Sequence, residues 1–123
     1  MLFREYRKHD AVSLASLVKK REVTSRELLE VAIERLEEVN PALNAVVHRC
    51  YDRARDRLPD ISLDAPFAGV PFLVKDLDGV LAGEPYTGSS RSLVGYGPET
   101  SSELFLRYER AGLGIFAKTN TPE

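Results

Sequence analysis

One cysteine, one methionine, two histidines and no tryptophan mark what this chain of 123 residues does without. With Cys50 alone no intramolecular disulfide can form, and the composition fits a reducing compartment. Cys50 is therefore expected as a small, half-buried filler. His9 and His48 stand far apart, and no Cys, His and carboxylate residues recur at ligand spacing. The expectation is no metal and no cofactor. Charge of one sign is lacking too. Residues 1–60 carry 12 basic and 11 acidic side chains, residues 61–123 carry 5 and 8, and the net charge is −2. Such a balance offers no field for nucleic acid or an anionic membrane surface. No apolar run approaches the ~20 residues of a membrane span. Met1–Tyr6 has no apolar signal-peptide core either. Cytoplasmic localisation, with neither nucleic acid nor membrane as partner, is expected.

What is present divides into a helical half and a half where strands begin. Asp10 is suited to cap a helix over Ala11–Lys20, with Val12, Leu14, Ala15, Leu17 and Val18 on its buried face. Thr24-Ser25-Arg26-Glu27 reads as a capping box, Glu27 returning to the backbone of Thr24. The helix it opens carries Leu28, Leu29, Ala32, Ile33, Leu36 and Val39 on one stripe, and Asn40-Pro41 is expected to stop it. Leu43–Val47 is short, apolar and extended in character. Tyr51–Leu58 is expected helical, with Asp52, Arg53, Arg55, Asp56 and Arg57 on a solvated face. Pro59–Pro66 has the composition of a linker.

Gly69-Val70-Pro71-Phe72-Leu73-Val74-Lys75-Asp76 is the unusual stretch. Its apolar run predicts a short buried strand, yet an ammonium and a carboxylate arrive together at its end. Bringing a lysine into a core is costly, because burial disfavours the charged form. Most lysines at strand ends simply reach out to water, so Lys75 is a candidate for chemistry only if its surroundings are special. Leu77–Ser92 follows as a loop. Thr100-Ser101-Ser102-Glu103 reads as a second capping box, before a helix with Leu104, Phe105, Tyr108 and Ala111 on its apolar stripe and Gly112 at its end. Leu113–Ala117 is a second short strand, ended by Lys118. Strand, loop, helix, strand is a parallel β-α-β pattern. Two parallel strands need more sheet and a cover on both faces, so the chain reads as the opening part of something larger.

Six blocks then fall into a familiar order. They are Thr24–Leu28, Asn40-Pro41-Ala42-Leu43-Asn44-Ala45, Gly69–Asp76, Gly88-Ser89, Ala111-Gly112 and Lys118-Thr119-Asn120-Thr121-Pro122-Glu123. Collinear from about Asp10 to Glu123, they resemble the N-terminal part of the amidase signature family. The wording is closest to bacterial amidases of the aminohexanoate cyclic-dimer hydrolase type. The resemblance implies an α/β fold, a mixed sheet covered by helices, of which this chain holds an α-hairpin and a β-loop-α-β unit. Residues 1–58 would be helical, 59–66 the linker and 67–123 the start of the α/β core, all within one amidase signature domain.

The resemblance also implies hydrolysis of a small-molecule carboxamide by a Ser–cis-Ser–Lys triad, with Lys75 as the catalytic lysine. A neutral amine can take the proton of a bridging serine, which in turn activates the nucleophilic serine. The family's two serines and its oxyanion donors fall beyond Glu123, so these 123 residues alone are expected to be inactive. Ser89 and Ser90 correspond to an earlier loop at the pocket rim and are not the nucleophile. Asp76, on the opposite pleat from Lys75, is expected to secure the loop after the strand. Thr119 and Asn120 are expected to bond backbone, and Lys118 has no evident chemical role from its neighbours. Arg21 stands where many relatives carry glycine, a cost if φ is positive there. Ser101 stands where many carry aspartate. Two other readings stand beside hydrolysis: a non-catalytic remnant or interaction module that self-associates through an uncovered sheet edge, and an amidotransferase A-type subunit.

Overall fold

Side-chain caps open the two longest helices in the computed structural model, which describes residues 1–122. Helix α1 is a single turn, Phe3–Tyr6. Helix α2 spans Ala11–Lys19, and the Asp10 carboxylate accepts the Ser13 N–H at 2.8 Å at its start. Leu14, Ala15 and Val18 face inward, but Val12 is 65 % exposed and does not share that face. A paired-bond stop ends α2: the Arg21 N–H reaches the Val18 carbonyl and the Glu22 N–H reaches that of Leu17, both at 3.0 Å. That pattern requires a left-handed residue after the helix. Arg21 supplies it at φ +60°, where a Cβ is a liability.

Helix α3 spans Ser25–Leu43 and begins with the expected reciprocal box between Thr24 and Glu27. It does not stop at Asn40-Pro41. Pro41 lies inside it, and the helix closes one turn later at Asn44, which takes φ +49°. Pro41 has no N–H to give to the Glu37 carbonyl, and the turn around it is closed by the Asn44 N–H on the Asn40 carbonyl at 2.7 Å. Asn40 is buried and supplies the turnaround. Its amide nitrogen donates to the Val46 carbonyl at 3.0 Å, and its carbonyl oxygen accepts the Val46 N–H at 2.8 Å. Strand β1 therefore starts at Val46 and runs to Arg49, later than the apolar segment suggests.

Helix α4, Tyr51–Arg57, passes into a short 3-10 turn at Leu58–Asp60. Its basic residues are not merely solvated. Arg55 grips Glu30 of α3 with two nitrogens at 2.8 and 2.9 Å, and Arg53 reaches Glu109 at 2.6 Å. Strand β2 is Val70–Lys75, helix α5 is Glu103–Arg110 and strand β3 is Leu113–Thr119. The three strands form a mixed sheet in the order β1-β3-β2, with β3 antiparallel to β1 and parallel to β2. As the central strand, β3 is buried through five consecutive residues, Gly114–Lys118. Phe72 pairs Ile115 and Leu73 pairs Ala117, which leaves Phe116 as a bulged residue without a partner on β2.

Helix α3 covers one face of the sheet, where Leu29, Ile33 and Leu36 meet Val46, Phe116 and Ala117. Helix α5 covers the other, Phe105 packing with Val74, Ile115, Leu81 and Cys50. Helix α2 closes the start of β2 through Leu14, Val18 and Val70. The stretch expected as a linker is docked: Ala65 and Ala68 are buried, and Gly69 donates to the Gly112 carbonyl. Gly112, at φ +92°, ends α5 so closely against these residues that an added Cβ would stand 2.8 Å from Ala65 Cβ and 2.9 Å from Ala68 Cα.

Two substitutions check these turns in denaturant titrations. Arg21→Gly removes the left-handed penalty and should stabilise the fold by about 1 kcal/mol. Gly112→Ala should destabilise by about 2–4 kcal/mol, combining backbone strain with overpacking.

Candidate functional site

Strands β2 and β3 end side by side, and their last residues alternate in direction. Val74 is in register with Lys118 and Lys75 with Thr119, so the two lysines stand on opposite faces of the sheet. Lys75 shares its face with Leu73, which is 36 % exposed on the outer strand. The Lys75 side chain is half-buried, not sealed in a core. Its amine makes no hydrogen bond or ion pair among the described residues, whereas that of Lys118 is enclosed and bonded. Beside Leu73 on this face lies an apolar groove of about 240 Å³, lined among others by Phe3, Tyr6, Leu36, Val39 and Phe116.

On the opposite face the buried run of β3 carries Lys118 fully inside, at 0 % exposure. Its ammonium stands 3.3 Å from the Asp76 carboxylate, donates to the Pro85 carbonyl at 2.5 Å and lies 5.6 Å over the Tyr86 ring. Asp76 is buried as well, at 3 % exposure. Its carboxylate accepts the Thr87 hydroxyl at 2.6 Å and the Thr87 N–H at 3.5 Å, while its own N–H donates to the Thr119 carbonyl at 3.1 Å. Asp76 thus ties the loop after the strand, in keeping with its place on the far pleat from Lys75. The role of Lys118 was not visible in its sequence neighbours. The available signal was the apolar run Leu113–Ala117, which continues the buried strand up to this amine and leaves it no direct route to water.

Other polar residues close the loop. The Ser101 and Ser102 hydroxyls do not cap α5. They accept the Ala82 and Val80 N–H groups, each at 2.9 Å, and so attach the loop to the start of the helix. Ser89 takes φ +60°, and its hydroxyl meets that of Thr121. Asn120 bonds backbone as expected, its N–H to the Ala45 carbonyl at 2.8 Å and its amide to the Asn44 carbonyl at 3.2 Å. Glu123, the last residue of the Lys118–Glu123 block, lies outside the described residues.

The remaining nucleophile and histidines are otherwise engaged. Cys50 is buried rather than half-buried, and that burial, with Glu84 nearby, pushes its thiol up to about 12. A thiol so shifted is not a nucleophile near neutral pH. His48 stands 2.6 Å from Glu84, and His9 stands 3.2 Å from the Ser13 hydroxyl. Among the described residues no group of three or more His, Cys, Asp and Glu is placed to hold a metal ion.

An amidase family model matches residues 27–123. The 6-aminohexanoate-cyclic-dimer hydrolase of Paenarthrobacter ureafaciens is 39 % identical over 116 residues, 93 % of this chain and 23 % of that protein. The lipoamidase of Enterococcus faecalis is 35 % identical over 123 residues, 97 % of this chain and 17 % of that protein. A solved structure of 6-aminohexanoate cyclic dimer hydrolase complexed with substrate superposes with a TM-score of 0.87 at 38 % identity, over 94 % of this chain and 24 % of that one. The chain spans a quarter or less of the length of these relatives.

Lys118→Met leaves the Asp76 carboxylate buried without its counter-charge and should cost about 3–5 kcal/mol in chemical denaturation. Adding Asp76→Asn should recover part of that loss, since no buried charge then remains. Cys50 should resist thiol reagents at pH 8 in the folded protein and react at once in denaturant, as followed by mass spectrometry.

Proposed function

Since the chain belongs to the amidase family, we propose that it is the N-terminal portion of a hydrolase that cuts small-molecule carboxamides, with Lys75 as the lysine of a Ser–cis-Ser–Lys triad. The observation that carries this reading is the Lys75 amine itself. It sits at the C-terminal end of a parallel strand, where α/β sheets place their reacting groups, and among the described residues it is unpartnered and half-buried. A lysine spent on a structural ion pair would look like its neighbour Lys118 instead.

In this reading residues 1–58 brace the sheet with helices and lend it β1, 59–66 connect, and 67–123 begin the α/β core of a single amidase signature domain. The two serines and the oxyanion donors come from the further length that the relatives possess. Lys75 takes the proton of the bridging serine, that serine takes the proton of the nucleophilic serine, and the nucleophile attacks the amide carbonyl. A rigid strand holds the amine in register for this transfer. Residues 1–123 by themselves have a base but neither a nucleophile nor donors for the oxyanion, and are inactive. The free edge of β2 continues into further strands of the same sheet in preference to pairing with a second copy. The apolar groove beside Leu73 gives this face a side suited to an aliphatic portion of the substrate or to packing by the rest of the domain.

The test is made on the complete protein with a panel of simple carboxamides, following product release. Lys75→Ala should lower kcat by about 10²–10⁴-fold. Lys75→Arg should not restore it, because a guanidinium does not give up its proton in the working range. Near wild-type turnover in Lys75→Ala would remove Lys75 from the mechanism.

A further inference from the structure

We propose that Lys118 and Asp76 form the positioning pair of the site, holding the Pro85–Ser90 turn against the strand ends and thereby setting where the Lys75 amine stands. This rests on the reading of Lys75 as the catalytic amine. One ammonium binds three consecutive residues of the turn: the Pro85 carbonyl directly, the Tyr86 ring by its face, and Thr87 through the Asp76 carboxylate. The hold then passes outward. The Thr87 hydroxyl accepts the Ser89 N–H at 3.2 Å, the Thr87 carbonyl accepts the Ser90 N–H at 2.8 Å, and the Ser89 hydroxyl meets that of Thr121 beyond β3.

The turn needs such a hold. Gly88 and Ser89 are both in the left-handed region; among the described residues no strand or helix pairs with residues 85–90, and besides the pair the Tyr96 carbonyl meets the turn's backbone, accepting the Tyr86 N–H at 3.1 Å. Asp76 is also the residue that follows Lys75 in the chain. Its N–H closes the last rung between β2 and β3 on the Thr119 carbonyl, and Thr119 is the register partner of Lys75. Fixing Asp76 from both its backbone and its carboxylate therefore fixes the peptide from which the Lys75 side chain departs. Displacements of about 1 Å at a reacting group cost on the order of 10²-fold in rate, so a loose Asp76 is felt at the amine. Both groups act through others and touch no reacting atom in this scheme.

The experiment compares wild type, Lys118→Met, Asp76→Asn and the double variant, each in the complete protein. Hydrogen–deuterium exchange is read over residues 85–90 and over α3, and kcat and KM are read for carboxamide hydrolysis. In every variant, exchange at 85–90 should rise about tenfold or more beyond any rise over α3, which reads only the loss of global stability. The kcat should fall about 10–100-fold with KM nearly constant, the mark of lost positioning as opposed to lost binding. The double variant is the decisive one, since it leaves no uncompensated buried charge and keeps the fold if Lys118→Met does not. Wild-type exchange at 85–90 together with wild-type kcat in the double variant would overturn the proposal. So would a fall in activity that tracks only the fraction of unfolded protein. If the wild-type protein hydrolyses none of the carboxamides, the reading of Lys75 fails, and the exchange at 85–90 still decides whether the pair holds the turn.

Discussion

A charge pair sealed between two strand ends constrains the second half of this structure. Lys118 and Asp76 are both removed from water, and each is tolerable only in the presence of the other. Their mutual attraction does not by itself offset two desolvations. The remaining hydrogen-bonding capacity has to be met as well, and it is met by the Pro85 carbonyl and by Thr87. The loop that supplies those groups is thereby drawn onto the sheet. Pair and loop are one unit: unmaking either leaves a buried polar group unanswered.

The helical half is tied to the same end of the sheet by a different device. Asn40 uses both ends of its amide to clamp Val46, and Asn120 bonds the backbone of Asn44 and Ala45. The end of α3, the start of β1 and the segment after β3 therefore converge on one corner. The Arg55–Glu30 and Arg53–Glu109 pairs hold α4 to α3 and to α5 at a distance from that corner. Helices whose sequences look merely charged and solvent-facing are in fact cross-braces. A fixed guanidinium fork makes arginine well suited to that work.

Features decided locally were legible in the sequence. The Asp10 cap, the Thr24–Glu27 box, the left-handed Gly112 and the strain at Arg21 depend on a few adjacent residues, and each stands where the sequence places it. The family, the mixed α/β class and β2 ending at Lys75 were legible through motif order and an apolar run meeting charge. Features decided by partners distant in the chain were not. Pro41 stays helical because Asn40 and Asn44 close the turn around it. Val12 faces outward although its type is apolar. Ser101 and Ser102 turn to a loop twenty residues earlier, not to their own helix. Lys118 was the largest omission, since its partner lies 42 positions away and only the tertiary fold brings the two together.

The bulge at Phe116 carries a consequence of parity. If β3 ran beside β2 without the extra residue, the ladder begun by Phe72 and Ile115 would set Lys75 directly across from Lys118. Two ammoniums would then be neighbours on one face, an arrangement that like charges oppose. One unpaired residue advances β3 by a single step, and each amine is sent to its own side. The sheet thus separates two identical functional groups, one consumed by structure and one unpartnered among the described residues, through an odd count rather than through any change in side-chain chemistry.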